Sequence, residues 1–331
     1  CPLMPVMSER KKKHHIDYTD KKVRQEVLVR QRRELWSPEQ VRSLAKHFRL
    51  RPGMHMLDCG CGLGYAMQTW GPYVMPGGRL TGLDPVPDLL NKARRNLDRD
   101  RLGKAAGFVQ GDIRDMPFDD GTFDITIAHV VFCHLAEQKQ ALDEMIRVTK
   151  PGGCVAVFDN AVSGGPQGGW SSIHKPTVES ELFDLEMGLR ALEGIRRLGQ
   201  GDFRVGCYLP LWMEARGLED VDVRCNDRVR WVAPPYRSAA QQTDWSNTRE
   251  RIRARITRPR PERVYYKQLR AGGADEKSIR RMQNRNRRSF ERLRKSARNR
   301  TLAYAWSSQF WCIWGFCPEG GQRTKPWGKK T

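Results

Sequence analysis

An acidic residue followed by three alternating glycines is the clearest chemical signal in this 331-residue chain. The stretch reads Asp58-Cys59-Gly60-Cys61-Gly62-Leu63-Gly64 and follows the largely apolar residues 54–57. A loop that presses its backbone against a bound molecule cannot carry Cβ atoms at the contact points, so glycine is favoured there. The dinucleotide fingerprint spaces its glycines G-x-G-x-x-G, whereas position 65 here is tyrosine. The spacing therefore predicts a cofactor loop of another type.

Further signals follow this loop in the order expected of an α/β nucleotide-binding sheet. The apolar residues 80–83 end at Asp84, and an acid at the tip of a second strand can hold the hydroxyl pair of a ribose. Residues 106–113 predict a third strand that ends in Gly111-Asp112. Residues 123–129 are apolar and β-branched, as expected of a buried parallel strand. A helix with apolar residues at 141–146 and a fifth strand at 155–158 complete the pattern.

These residues together resemble the class I S-adenosylmethionine-dependent methyltransferases. The loop at 58–64 is similar to the first motif of that family, and the turn Arg147-Val148-Thr149-Lys150-Pro151-Gly152-Gly153 is another of its marks. The H-x-x-x-x-H-L stretch from His129 to Leu135 resembles the branch of ubiquinone and menaquinone C-methyltransferases. The close resemblance covers about residues 36–160. It implies an α/β fold, a Rossmann-like seven-stranded methyltransferase sheet with helices on both faces, here with a mostly helical insertion.

The resemblance also implies S-adenosyl-L-methionine as the cofactor, with S-adenosyl-L-homocysteine as the product. In the family's arrangement, Asp58, Gly60 and Gly62 contact the amino acid part of the cofactor. Asp84 takes the ribose hydroxyls. The remaining implied contacts are Asp112 with the adenine amino group, Ile113 with the ring face, and Cys61, Gly64, Pro85, Gly111, His129 and Tyr18 around the cofactor.

The acceptor side of the site is less specific. His129, at the end of the fourth strand, would border the methyl group and is the candidate catalytic residue, as a base or as a wall of the pocket. His134 is a second candidate, with surface packing at a helix start as the alternative. Trp36, Asp159, Trp170, Tyr208 and Tyr236 are candidates for lining the acceptor site, and ordinary packing is the alternative for each. No metal site is predicted, because Cys312 and Cys317 lack a partner pair.

The net charge of +21 is unevenly distributed along the chain. Residues 1–50 carry 13 basic and 6 acidic side chains, whereas residues 240–331 carry 24 and 7. The part between them is close to neutral. A basic patch attracts anions but does not identify a reaction.

We therefore predict four parts. These are an N-terminal basic helical segment (1–50), a cofactor-binding methyltransferase core (51–235), a basic helical insertion (236–303), and the final strand of the core with a tail (304–331). The first and third parts are expected to form a lid over the acceptor.

The C-terminal half predicts the rest of the sheet. Residues 211–223 read as a last helix, a glycine stop and a sixth strand, which we expect to continue through 224–232. The apolar residues 310–314 predict another strand, and the resemblance implies that it is the seventh and lies beside the fifth. Two helices are expected outside the core, one at 176–198 and one that starts at Asp275-Glu276 and exposes an arginine-rich face.

Three functions fit these observations. The first is methyl transfer to a small-molecule acceptor, with a homodimer as one open arrangement. The second is an RNA or DNA methyltransferase that uses the arginine-rich insertion on phosphates. The third is a non-catalytic protein that binds the cofactor, which the intact set Asp58, Asp84 and Asp112 disfavours. Scattered cysteines and the lack of a stretch of ~20 apolar residues favour a cytoplasmic protein without a membrane span.

Overall fold

The centre of the structure is a sheet of seven strands, seen in a computed structural model that describes residues 36–161, 169–257, 261–307 and 310–320. The strands of this sheet and of a smaller second sheet are, in chain order, β1 (His55–Cys59), β2 (Arg79–Asp84), β3 (Ala106–Gln110), β4 (Phe123–His129), β5 (Thr149–Asn160), β6 (Gly169–Ser171), β7 (Glu219–Cys225), β8 (Arg230–Val232), β9 (Tyr304–Trp306) and β10 (Phe310–Phe316). The helices are α1 (Pro38–His47), α2 (Tyr65–Trp70), α3 (Pro87–Arg99), α4 (Gln138–Val148), α5 (Val178–Arg197), α6 (Val205–Glu214), α7 (Ala239–Thr257), α8 (Pro261–Ala271) and α9 (Glu276–Arg298).

The large sheet has the order β3-β2-β1-β4-β5-β10-β7. Strands β1 to β5 are parallel to one another, and β10 is antiparallel to both β5 and β7. Strand β10 is thus inserted beside β5, as the resemblance implied for the apolar run at 310–314. This topology confirms the predicted Rossmann-like seven-stranded sheet.

Two apolar layers cover the sheet. One face packs against α1, α2 and α3 through side chains such as Leu44, Met67 and Leu97. The other face packs against α4 and α6 through Leu142 and Leu209, among others. Because side chains alternate along each strand, neighbouring residues of β4 and β5 enter different layers. Within the described residues, no helix has the length and apolar character that would let it cross a lipid bilayer.

Strand β7 ends earlier than predicted. Residues 224–232 were expected to continue the sixth strand, but the ladder with β10 closes at Asn226, whose backbone N–H donates to the Phe310 carbonyl at 2.9 Å. The next residue, Asp227, turns to the start of α1, where its Oδ1 accepts from the Ser37 backbone N–H at 3.1 Å and its own N–H donates to Gln40 Oε1 at 2.8 Å. Residues 230–232 then form β8 in a second sheet of order β6-β9-β8.

Two insertions leave the large sheet at the carboxyl edge of its parallel strands. The first follows Asn160 at the end of β5, and the second runs from the end of β7 to the start of β10. Together they contribute β6, β8, β9, α5, α7, α8 and α9, which we call the cap. Ligands of open α/β sheets bind outside this edge. The cap therefore lies at the end of the sheet where a ligand is expected.

The cap has its own core where α5 crosses α8. Apolar residues from both helices and from α9 form a separate buried cluster, which includes Phe183, Met187 and Leu269. At the crossing, a Cβ added to Gly194 would lie 1.8 Å from the carbonyl oxygen of Gln268. Reciprocally, a Cβ added to Gly272 would lie 1.8 Å from the carbonyl oxygen of Arg190. The two backbones can approach this closely only because neither position carries a side chain.

We expect Gly194→Ala to destabilise the cap, because the new methyl group must push α5 away from the backbone of α8. Gly188→Ala is the matched control on the same helix, since a Cβ there meets no atom within 4 Å. The control should stabilise the chain by about 0.5–1 kcal/mol through helix propensity. Thermal unfolding followed by circular dichroism compares the two, and equal shifts in Tm would contradict this view of the crossing.

Candidate functional site

The loop between β1 and α2 is a glycine turn in a backbone conformation that other residues avoid. Gly60, Gly62 and Gly64 have φ values of +70°, +54° and +79°. The Cys61 N–H donates to the Leu83 carbonyl at 2.8 Å, which holds the loop against the end of β2. A Cβ at Gly60 would lie 2.8 Å from Val131 Cγ2. The alternating glycines are therefore required both by φ and by the close approach of the turn after β4.

The Asp84 carboxylate connects the glycine loop to the end of β2. Its Oδ2 accepts from the Gly62 N–H and its Oδ1 from the Val86 N–H, both at 2.9 Å. The side chain is buried. A carboxylate has about four lone-pair positions, so a group of this kind can accept from ligand hydroxyls as well as from backbone N–H groups.

Asp58 and His129 lie on the same face of the sheet as Asp84. Asp58 is two residues beyond Met56 and His129 is two beyond Ile127, and both apolar residues belong to the layer under α1 and α2. Successive side chains of a strand alternate between faces. Asp58 is 1% exposed and His129 2% exposed. Two carboxylates and an imidazole thus come from the ends of three adjacent strands, β1, β2 and β4.

These carboxylates indicate which kind of molecule the loop can hold. Carboxylates beside backbone N–H groups repel a pyrophosphate, which is the group that the dinucleotide loop binds. They attract hydroxyl and ammonium donors instead. The geometry is therefore suited to a ligand with a sugar and an amino group.

Gly111, Asp112 and Ile113 follow β3, next to the end of β2. The Gly111 N–H donates to the Asp84 carbonyl at 3.3 Å. The Asp112 carboxylate accepts from the guanidinium of Arg114, with Nε to Oδ1 at 2.8 Å, and Arg114 also bonds Glu137 at 2.5 Å. The hydrogen bond that Arg114 donates to Asp112 is the largest cause that raises the pKa of Arg114 above its ordinary value. The predicted adenine contact of Asp112 must therefore share this carboxylate with Arg114.

His129 is held by an aromatic partner from the residue before α1. Trp36 Nε1–H donates to His129 Nε2 at 3.2 Å, so Nε2 is unprotonated in this arrangement. Phe158 and Tyr65 each lie with ring centroids 5.3 Å from the imidazole. An Nε2 lone pair that accepts from Trp36 is not available to take a proton from an acceptor. The geometry supports a role for His129 in shaping the pocket more than a role as a base at this atom.

Val130 makes the turn after β4 a strained one. Its φ is +58°, a region that β-branched residues rarely enter. Its N–H donates to the Phe158 carbonyl at 2.7 Å, which keeps the strand end in place. Such strain persists where the surrounding structure determines the backbone. Here it presents Val131 to Gly60 and so brings the ends of β1 and β4 together.

Asp159 lies on the opposite side of the sheet from His129. It follows Phe158 in β5, and its Oδ2 accepts from the Cys133 backbone N–H at 3.2 Å. Burial raises the pKa of this carboxyl above its ordinary value. The side chain thus supports the turn at Phe132–His134, and the His134 ring packs edge-on against Phe203 at 5.5 Å.

The aromatic candidates for the acceptor site are not brought together. Tyr236 is buried in a different cluster, where its ring stacks on Trp245 at 4.5 Å and its hydroxyl donates to the Leu302 carbonyl at 3.0 Å. Tyr208 stacks on Trp212 on α6, and Trp170 is 60% exposed on β6. Their rings pack within the cap and on α6, and the expectation that they line an acceptor stays a prediction. Tyr18 lies outside the described residues.

Two contributors were missed at the sequence level. Tyr65, directly after the third glycine, contacts the imidazole of His129, and its position beside the loop is the signal that could have identified it. Arg114, two residues after Asp112, forms the ion pair at the β3 end. Pro85 is exposed beside Asp84, and its carbonyl accepts from Gln110 Nε2 at 3.4 Å.

The part of the chain that contains the glycine loop is similar to known methyltransferases. Residues 57–157 match the family described as methyltransferase domain. The chain is 41% identical over 105 residues to an uncharacterized methyltransferase of Schizosaccharomyces pombe, covering 30% of this chain and 37% of that protein. It is 34% identical over 128 residues to a demethylmenaquinone methyltransferase of Desulfitobacterium hafniense, covering 38% and 51%.

A longer match covers more than half of the chain. Over 196 residues the chain is 29% identical to the sterol methyltransferase-like 2 protein of Botryococcus braunii, covering 58% of this chain and 49% of that protein. The chain thus spans about half or less of the length of these relatives. The family match ends before the cap begins, so it concerns the glycine loop, Asp84 and the end of β4.

We expect Trp36→Phe to lower the free energy of unfolding by about 1–3 kcal/mol, because the buried His129 Nε2 loses this donor. In a His129→Phe background the same change should cost at least about 1 kcal/mol less, since the acceptor is already gone. Urea unfolding of the wild type, both single variants and the double variant measures the coupling. The same cost in both backgrounds would show that the hydrogen bond contributes nothing.

Proposed function

Because this chain contains a class I S-adenosylmethionine-dependent methyltransferase domain, which uses S-adenosyl-L-methionine as its cofactor, we propose that it transfers the methyl group of that cofactor to a small-molecule acceptor. The observation that carries the proposal is the arrangement of Asp58, the glycine turn and Asp84 at one edge of the sheet. That arrangement suits a ligand with an amino acid end and a ribose. It agrees with the family match over the same residues.

We assign the cofactor contacts as follows. Asp84, which accepts from the Gly62 and Val86 N–H groups, also accepts from the ribose hydroxyls. Asp58 and the glycine turn hold the amino acid end, and Asp112 and Ile113 lie at the adenine end. When bound, the cofactor supplies an electrophilic methyl group, which an acceptor displaces in line.

The chain's own residues contribute positioning and exclusion of water. The sulfonium end of the cofactor would lie toward His129, which is enclosed by Trp36, Tyr65 and Phe158. A dry, aromatic wall favours alignment of the two reacting atoms and keeps water from the methyl group. No proton acceptor is assigned, because the His129 Nε2 atom already accepts from Trp36.

The acceptor is proposed as a small molecule for two reasons. Two of the relatives above carry names that refer to demethylmenaquinone and sterol methylation, which are properties of those proteins. In this chain, the cap is built over the carboxyl edge by both insertions, an arrangement that can enclose an acceptor of limited size. The identity of the acceptor depends on the cap, which the family match does not cover.

A nucleic acid is the second candidate acceptor. Helix α9 carries ten basic and two acidic residues among its 23. Arginines of this density favour phosphate groups. Among the described residues that line its two neighbouring grooves, however, the imidazole of His174 is the one aromatic ring, and no Phe, Tyr or Trp offers a platform for successive bases. This difference places the small molecule first.

Asp84→Ala should weaken cofactor binding by about 1–3 kcal/mol, because a buried carboxylate that accepts from both the ribose and the glycine loop is lost. Isothermal titration with S-adenosyl-L-homocysteine measures the change. Asp119→Ala, an exposed acid on the loop after β3, is the control and should leave the affinity unaltered. Full affinity in the Asp84 variant would mean that the ribose is placed wrongly.

Transfer of labelled methyl groups separates the candidate acceptors. The wild-type chain is incubated with methyl-labelled cofactor and either a protein-free metabolite extract or bulk RNA and DNA. With the wild type we expect label above background in the small-molecule fraction. With Asp84→Ala we expect less label in that fraction. Label in the nucleic acid alone would replace the first candidate by the second, and no label in either fraction despite cofactor binding would favour a non-catalytic protein.

A further inference from the structure

A second concave site lies in the cap, between α9 and the segment that joins β6 to α5. It is a cleft of about 1040 Å³. Arg288, Arg292 and Lys295 line it from α9, and His174 and Lys175 line it from the joining segment. Cationic groups therefore reach the cleft from two separate elements of the cap.

The three cations of α9 share one face of the helix. Their spacing of four and then three residues places them on successive turns, over about 10 Å of the helix axis. Like charges at this spacing repel each other and destabilise a helix. The arrangement therefore costs stability unless an anion neutralises it.

Acidic side chains in the described part of the chain do not form ion pairs with this cluster. Among the described residues that line the cleft, Asp184 is the one carboxylate, and it already pairs with Arg285 at 2.6 Å. Within the described parts of the chain, Arg288, Arg292 and Lys295 form no ion pair with a carboxylate. The cleft thus retains a net positive charge.

The remaining lining residues indicate the kind of anion. Hydroxyl groups are abundant, including Ser172, Ser289, Ser296 and Thr301. Arginine and hydroxyl donors suit the oxygens of phosphate groups. The described lining has an apolar side chain in Ile173, and the imidazole of His174 is its one aromatic ring, with no Phe, Tyr or Trp beside it. The volume exceeds what a single phosphate fills and is at the upper end of small-molecule sites.

We propose that this cleft binds a small molecule that carries two or more phosphate groups. The phosphates lie along Arg288, Arg292 and Lys295, and Lys175 closes on them from the opposite element. The site is separate from the glycine loop. It does not depend on the proposed methyl transfer, so its test needs neither cofactor nor acceptor.

The arginines on the rest of α9 provide the matched control. Arg280, Arg287 and Arg294 lie on the same helix but outside the lining of this cleft. The test compares Arg288→Gln/Arg292→Gln/Lys295→Gln with Arg280→Gln/Arg287→Gln/Arg294→Gln, which change the net charge equally. Isothermal titration with inorganic pyrophosphate and tripolyphosphate in about 0.1 M salt measures the affinity of each protein. Circular dichroism and thermal unfolding confirm that both variants are folded.

We expect the wild type and the control to bind both probes, and the cleft variant to bind them at least about tenfold more weakly. Tripolyphosphate should bind more tightly than pyrophosphate. Equal weakening in both variants would overturn the cleft and point to a diffuse cationic helix. Absence of binding by the folded wild type would overturn the proposal as well.

A third arm separates a small phosphate ligand from a nucleic acid backbone. A duplex RNA of about 20 base pairs is titrated into the same three proteins at two salt concentrations. A surface for a phosphodiester backbone would lose affinity in both triple variants, with a slope of log K against log salt reduced by about three in each. Tight RNA binding of this kind, without preference for the cleft residues, would contradict the proposal. RNA binding that the cleft variant alone loses, and that tripolyphosphate displaces from the wild type and the control, would agree with it.

Discussion

The buried Asp84 carboxylate is the interaction on which the site depends. It accepts from backbone N–H groups of the glycine loop and of the turn before α3, so one side chain joins the ends of β1 and β2. The same carboxylate keeps Gly62 in a left-handed conformation next to the open edge of the sheet. The loop thus has a defined shape before any ligand binds. A preformed loop lowers the entropy that binding would otherwise cost.

The end of β4 complements this loop from the other side. Val130, in an unfavourable backbone conformation, places Val131 against Gly60, while Trp36 fixes the orientation of His129. Backbone strain and a buried hydrogen bond between two rings therefore act together at the position nearest to the proposed methyl group. Such strain is often found at functional sites, where the rest of the fold supports it.

The elements with local signals could be predicted from the sequence. The acid and alternating glycines at 58–64 predicted the turn, and the apolar run at 310–314 predicted the inserted strand, because both depend on residue type and spacing within a few positions. The small sheet of β6, β8 and β9 could not be predicted. Its three-residue strands are too short to show periodicity, and Trp170 pairs with Ala305, which is far away in sequence. The hydrogen bond from the Tyr236 hydroxyl to the Leu302 carbonyl could not be predicted either, because the two residues are far apart in sequence.

The contact between α1 and the β7–β8 junction links two parts of the chain that border the site. Gln40 donates to the Cys225 carbonyl at 2.6 Å and accepts from Asp227, and Ser37 donates to the same aspartate. Trp36 directly precedes this clasp, and the second insertion of the cap begins directly after it. The same hydrogen bonds therefore hold both the segment that contains Trp36 and the start of the second insertion. Loosening these hydrogen bonds would therefore release Trp36, which contacts His129, together with the first residues of the second insertion.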